Sequence, residues 1–388
     1  MRIRELDGLR AIMIFIVSWY HIWQQSWLTP HIGGYSLDFL LRSGYVWVDG
    51  TVLLSAFLLF LPYARTMLLG KPMPDAASFY YRRARRILPS YYFNILLILF
   101  AVVLPFGLYV TPQYMVKDLA THFTFTFTFF EDTYLFTPLG GACWTVAIEV
   151  QAYLLIPLAA KAILKKPVLT MCLLTGVCFC FRAWCVWALE DYNMVVNQLI
   201  NFLDVYVIGI LLAMLYVRIS SRAPDKTQTR IRTLAATLLF AVSVFILFRM
   251  LRVQAFSPTH PDIQRNQMLY RPIFALCFGG MILSCSFAVK PLRWLLGNKV
   301  MVFLAGISMN YYLIHQVIIV HMRRIGFPPS ESQTPHMVGE QPWQTQYVLA
   351  AFGISFAAAV LITYLVERPA AKLMDRLHDK KRARPDGR

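Results

Sequence analysis

"LDGLRAIMIFIVSWYH", residues 6–21, decides how the rest of the chain is read. It is apolar enough to enter a membrane, yet it carries Arg10 at its mouth and His21 in its depth. At about 100° and 1.5 Å per helical residue, a step of eleven positions returns to nearly the same face, roughly 16 Å further along. The arginine and the histidine therefore share one stripe of one helix. A basic start before an apolar stretch also suits a signal peptide, but no small-residue cleavage site follows, and "SWYHIWQQSW" is a poor exit for one. The segment reads as a first membrane span.

The remainder of the 388 residues agrees: 58% are hydrophobic, 15% are aromatic, and the mean hydropathy is +0.53, far above that of a soluble domain. Ten apolar stretches approach the length that crosses a bilayer. They lie near 9–28, 47–69, 87–109, 142–162, 168–188, 198–217, 232–251, 270–289, 299–321 and 346–366. The expectation is an all-α polytopic membrane protein, a bundle of about ten transmembrane helices. Residues 1–370 form a single membrane domain, followed by a basic tail over 371–388.

A formal charge of +17 could suggest a nucleic-acid binder. Its distribution argues against that. With the N-terminus in the cytoplasm, 28 of the 37 Lys and Arg fall on the inner side and 8 on the outer, with Arg182 inside a span. That bias is the positive-inside signature. It predicts both termini in the cytoplasm and a multi-pass protein of the cell membrane, with the lipid bilayer as partner and no nucleic acid. The seven cysteines lie in or beside apolar spans without metal-ligand or disulfide spacing, so they read as packing residues and no metal is expected.

Two outer loops are long, near 110–141 and 322–345. In the first, "THFTFTFTFF" alternates at period two, which predicts an extended ribbon with an aromatic and a hydroxyl face. It suits an aromatic belt at the interface or, in a sharper reading, a lid. The second, with "GFPPSESQTPHMVGEQPW", reads as irregular.

Ionisable residues inside spans are costly and mark functional sites by default. Counted along their spans, His21, Glu149 and His315 all reach the outer half, Asp49 sits near the outer end of span two, and Arg182 and Asp204 fall at similar depth on adjacent spans, placed to pair. At the inner end of span three stands "FYYRRARRILPSYY". Arg82, Arg85 and Arg86 are three or four positions apart and share a helical face, with Arg83 turned away. Guanidinium forks suit phosphate oxygens, which makes a phosphate-rich cytosolic ligand the natural partner.

Six landmarks in order, "ELDGLRAIMIFIVSWYH", "YVWVDGTVLLSAFLL", "FYYRRARRILPSYY", "CWTVAIEVQAYLLIP", "GISMNYYLIHQ" and "VERPAAKLM", resemble those of the integral membrane acyltransferases called the acyltransferase-3 family. The resemblance spans nearly the whole chain. It implies transfer of an acyl group, commonly acetyl, from cytosolic acyl-coenzyme A as co-substrate to a hydroxyl of a surface glycan, lipid-linked sugar or small molecule, with no tightly bound cofactor. Arg10 and His21 match the family's span-one pair, Arg82, Arg83, Arg85 and Arg86 its arginine-rich segment, and Trp144 and Glu149 its span-four signature. There are departures: Ser55, Ala56 and Phe57 stand for Ser-Gly-Phe, Thr51 and Val52 for an aromatic pair, and Ala152 for an aromatic before Tyr153.

On this reading Arg10, Arg82, Arg85 and Arg86 hold the coenzyme. His21 acts as general base, its unperturbed pKa near 6.5 being suited to that role, with Glu149 or Asp49 orienting the imidazole. Trp144, Tyr153, Tyr312 and His315 are the candidate substrate contacts. The competing reading is a proton-coupled transporter, because midplane acids and histidines also line transport pathways. No half-to-half symmetry in the sequence supports it.

Overall fold

A computed structural model describes residues 3–332 and 334–383. The chain is helical almost throughout. We number the long helices α1 (Arg4–Ser26), α2 (Trp47–Leu69), α3 (Ala76–Ile98), α4 (Trp144–Lys165), α5 (Pro167–Ala188), α6 (Leu203–Ser220), α7 (Lys226–Ala255), α8 (His260–Ser284), α9 (Lys299–Arg324), α10 (Pro342–Ile362) and α11 (Arg368–Ala383). Among the described residues, nine helical segments, those of α2 to α10, are long and apolar enough to cross a membrane. The protein is an all-α polytopic membrane protein. α1 is equally long at 23 residues, but Arg4, Glu5, Asp7 and Arg10 crowd its first two turns and lower its hydropathy. It packs inside the bundle against α9, α2 and α10.

Helix ends follow local chemistry. Asp75, Asp225, Thr259 and Asn298 cap α3, α7, α8 and α9, each side chain accepting a hydrogen bond from a first-turn amide. Proline at the first turn starts α5, α8 and α10.

The core has two main bodies. One gathers α1, α2, α6 and α8, and the other α3, α4, α9 and the loops before α4. α2 and α6 approach closely at Gly209, where a Cβ would stand 2.6 Å from that of Ala56. Glycine is needed there because backbone, not a side chain, meets α2.

Two sequence expectations change. "THFTFTFTFF" is not an extended ribbon. The helix Pro112–Phe123 runs into it, and a 3₁₀ turn, Phe127–Phe129, and the short helix Glu131–Leu135 follow. The threonine hydroxyls fold back instead of facing water: Thr121 and Thr124 donate to carbonyls of that helix, and Thr133 donates to the Phe127 carbonyl. Such local bonds compete with strand pairing. The resulting cap buries an Asp118–His122 pair (3.0 Å) and carries an exposed Lys117–Asp132 bridge (2.6 Å).

The tail also departs from a simple solvated run. α11 follows α10 through a wide turn at Thr363–Glu367 and lies against α3, with Arg85 donating to Asp375 (2.6 Å), Tyr81 donating to the same carboxylate (3.0 Å), and the Tyr81 and His378 rings stacked 3.9 Å apart. Residues 384–388 of the predicted tail lie outside the described residues. Because α11 meets the arginine segment and the start of α1 packs on the helix Lys290–Gly297 through a Glu5–Arg293 bridge, we call this side of the bundle the basic end. The opposite side is the far end.

Candidate active site

From the basic end a cavity of about 110 Å³ reaches into the bundle. α1 contributes Arg10 and Ile14, one turn apart on the stripe that ends at His21. α3 contributes Arg83, Arg86 and Ile87, α4 contributes Thr145, Glu149 and Tyr153, and α9 contributes Ser308, Met309 and Tyr312. Thr51, Val52 and Ser55 of α2 complete the wall. Three guanidiniums thus face one carboxylate, Glu149, which accepts from the Tyr153 hydroxyl (2.9 Å). The lining is electropositive and suits an anion.

The α3 face differs from the one the sequence suggested. Arg83, expected to turn away, lines the cavity, with its guanidinium over the Phe79 and Tyr153 rings (5.6 and 5.5 Å). Arg86 joins it one turn on, whereas Arg85 is engaged by Asp375 and Arg82 is exposed outside the lining. All four arginines were legible, but the inward face is set by packing on α4, which local spacing does not reveal.

Deeper along α1 lies the second element. The rings of His21 and His315 are 5.3 Å apart. His315 is fully buried, and its Nδ1 lies 2.8 Å from the Tyr312 carbonyl; a carbonyl only accepts, so Nδ1 carries the proton and Nε2 the lone pair. His21 is half-buried, with Nδ1 3.0 Å from Gln24 Oε1, while Gln24 Nε2 donates to the Tyr20 hydroxyl. The same logic assigns the His21 proton to Nδ1 and leaves Nε2 as an acceptor. His315 is held further by Tyr311, stacked parallel at 5.9 Å, whose hydroxyl bonds to Ser18 of α1 (2.8 Å). Two imidazoles with open Nε2 lone pairs can accept protons from hydroxyls.

The partners proposed for His21 are elsewhere. Glu149 faces Arg10 and Tyr153 in the cavity, and Asp49 is fully buried against Arg271 (3.3 Å). Gln24, one turn along the same helix, orients the imidazole instead. Gln24, Tyr311 and Ser18 carry no charge and so give no intramembrane signal in the sequence, although the i to i+3 spacing from His21 points to Gln24. Of the four substrate candidates, Tyr153 and Tyr312 line the cavity and His315 joins His21, but Trp144 packs toward Phe202 (6.1 Å) outside the lining.

The other buried charges form a separate knot. Arg182 and Asp204 make the expected pair through two bonds of 2.7 and 2.8 Å, with Asn201 accepting from Arg182 Nε (2.7 Å). Arg271, not singled out from the sequence, is fully buried between this pair and Asp49, over the Phe202 ring (3.9 Å). Beneath the cavity, Asn310 of α9 receives a bond from Asn94 of α3 (3.2 Å) and donates to Thr363 (2.9 Å) and Glu367. That network ties three helices together next to the arginines.

Beyond Tyr312 the path closes. The Tyr312 hydroxyl donates to the Ala142 carbonyl (2.7 Å), and the Ala142 amide donates to Gln316 Oε1. On the other side of this clamp a second recess, of about 360 Å³, opens at the far end around Gly140, Gly141, Gln316, His321 and Arg324. At the start of α4 and in the 3₁₀ turn Gly141–Cys143 before it the two spaces are lined by Thr145 and Gly141, and along α9 by Tyr312 and Gln316. Each pair is four residues apart, about 6 Å.

The acyltransferase-3 family, described as an acyltransferase domain, matches residues 3–367, which takes in every element above except α11. No curated protein and no solved structure matches the chain significantly.

Proposed function

Since this chain belongs to the acyltransferase-3 family and is a membrane acyltransferase, we propose that it moves an acyl group, acetyl in the simplest case, from acyl-coenzyme A in the cytosol to a hydroxyl of a glycan or related acceptor on the other side of the membrane. The observation that carries this reading is the convergence of Arg10, Arg83 and Arg86 on one cavity whose Tyr312 wall adjoins the His21–His315 pair. Guanidiniums suit the coenzyme's phosphates, and the roughly 16 Å from Arg10 to His21 compares with the length of a pantetheine arm. The excess of Lys and Arg at this end supports a cytosolic side by the positive-inside rule.

In the proposed step His21 Nε2 takes the proton of the acceptor hydroxyl, and the oxygen attacks the thioester carbonyl. The carbon–sulfur bond breaks, and the imidazolium returns its proton to the departing thiolate. His315 Nε2 holds the acceptor beside it. Glu149, within reach of Arg10, offsets part of the cavity's charge when the donor is absent.

The test uses purified protein, labelled acetyl-coenzyme A and a panel of hydroxylated acceptors. General-base catalysis contributes about 10² to 10⁴ in rate, so His21→Ala and His21→Gln should lose transfer by that factor while retaining coenzyme binding. Full transfer by His21→Ala would remove the histidine from the mechanism. No transfer by the wild type to any acceptor would remove the donor assignment.

A further inference from the structure

The far-end recess has a chemical bias that the transfer reaction does not require. None of its thirteen lining residues is acidic, and Arg324 and His321 stand at its rim. Arg324 is exposed, whereas Arg323 beside it lies over the Trp343 ring (4.9 Å). His321 is fixed edge-on by Phe106 (4.5 Å), and its Nδ1 is buried without a partner. Asp118 lies one hydrogen bond behind the lining residue Thr137. Its Oδ2 accepts from Thr137 (2.8 Å) and Tyr109 (2.8 Å), its Oδ1 lies 3.0 Å from His122 Nδ1, and the residue is fully buried, so its carboxylate does not line the recess.

The floor is shaped for close approach. Gly140 has φ of +112°, a conformation that side chains resist, and a Cβ there would stand 3.2 Å from Val317 Cγ2. Gly141 beside it leaves Gln316 as the only neighbour within 4 Å of a Cβ. Backbone therefore forms the surface between the recess and the clamp. Val102, Leu108 and Val320 supply an apolar wall of the kind that takes the face of a sugar ring.

From this arrangement we propose that the far-end recess is the acceptor subsite and that it selects hydroxylated acceptors bearing an acidic group, with Arg324 as the recognising cation and His321 as its neighbour. The inference rests on the acyl-transfer reading for the word acceptor, but its charge preference stands on the recess alone. Arg324 sits two turns beyond Gln316 on α9, roughly 12 Å, so an acid it holds lies at the rim while a hydroxyl on the same or the next sugar unit points toward the clamp and the histidines.

The experiment compares three acceptors of one size: a methyl glucuronide, a sugar phosphate and the neutral methyl glucoside. Each is first added without donor to the detergent-solubilised protein, with melting temperature as readout, and then offered with labelled acetyl-coenzyme A. A charge-assisted contact corresponds to about tenfold or more in affinity. The wild type should therefore be stabilised by at least one of the acids and not by the glucoside, and should show a KM about tenfold lower for that acid. Arg324→Gln should raise that KM by about the same factor and leave the glucoside's unchanged, and Arg324→Lys should recover part of the difference. Which acid responds separates a carboxylate from a phosphate acceptor. Intact transfer with one KM for all three acceptors, or an equal loss on all three in Arg324→Gln, overturns the inference and leaves the transfer reading standing. Selective stabilisation by the acids with no transfer to any acceptor keeps the recess as an anion site and sinks the transfer reading instead.

Discussion

Two groups of charges lie inside this bundle, and they are built on opposite plans. In the knot of Asp49, Arg271, Arg182 and Asp204, two cations meet two anions and all four are fully or nearly fully buried; Asn201 and backbone carbonyls accept from Arg182 and from Arg271 Nη1, while Arg271 Nε meets Asp49 as an ion pair only. In the basic-end cavity, three guanidiniums line a space that offers one carboxylate, with Asp7 one turn back from Arg10 on α1. The knot closes on itself; the cavity leaves charge open to a ligand. Buried charge alone therefore does not mark the site. Surplus charge beside empty volume does.

The comparison breaks first at the knot. Asp204→Ala leaves Arg182 buried without its carboxylate, a change that costs about 3 to 5 kcal/mol. It should appear as a large loss of thermal stability in detergent, while donor affinity per folded molecule stays unchanged. A variant that folds normally but cannot bind donor would put the knot in the site.

At the cavity the expected signature is reversed. Arg83→Gln and Arg86→Gln should each weaken coenzyme binding by about 1.5 to 3 kcal/mol, the range of hydrogen bonds to charged groups, with little change in melting temperature. Equal binding by the double mutant would reduce these arginines to topology signals.

A smaller effect is expected at the tail. The Arg85–Asp375 bridge is more than a third exposed on both sides, so Asp375→Asn should cost only about 0.2 to 1 kcal/mol in stability. Because it frees Arg85 beside the cavity mouth, donor affinity should rise or stay constant. A fall would make the α11 contact part of the binding site.

The mildest prediction concerns pH in the cap. The hydrogen bond from Lys117 holds the Asp132 carboxyl below its ordinary range. The contribution of this exposed pair is present above the unfolded carboxylate value, near pH 4, and is lost as pH falls through the lower folded value. Lys117→Met should abolish that part of the acid sensitivity seen in melting curves, and unchanged acid sensitivity would mean the pair contributes nothing.

Much of this was legible because helices in a membrane obey one period. Arg10 and His21 share a face by counting alone, and Arg182 met Asp204 because equal depth on adjacent spans leaves few other partners. The errors lie where neighbours decide. Arg83 turned inward because its ring partners Phe79 and Tyr153 stand on that side. Arg271, at the edge of the expected span 270–289, drew no notice as a buried charge, but α8 begins at His260 and carries it well inside the bundle. Glu149 and His21 are each about five residues from the far end of their helices, yet Glu149 lines the cavity with Arg10 one turn past Thr145, and counting along the spans does not reveal which face of α4 it occupies. The alternation of "THFTFTFTFF" was real, but its hydroxyls found helix carbonyls before they found a partner strand.

The clamp of Tyr312 and Gln316 on Ala142 has an electrical consequence. With water in both recesses, the insulating layer between the two sides of the membrane thins here from the roughly 30 Å of a lipid core to about one helical turn. The local field is then several times that of the surrounding bilayer, and a unit charge crossing the layer meets nearly the whole drop, about 2.3 kcal/mol per 100 mV. An acyl group is neutral and passes such a layer without electrical work, whereas a stray ion does not. Two hydrogen bonds to one residue, Ala142, close that layer.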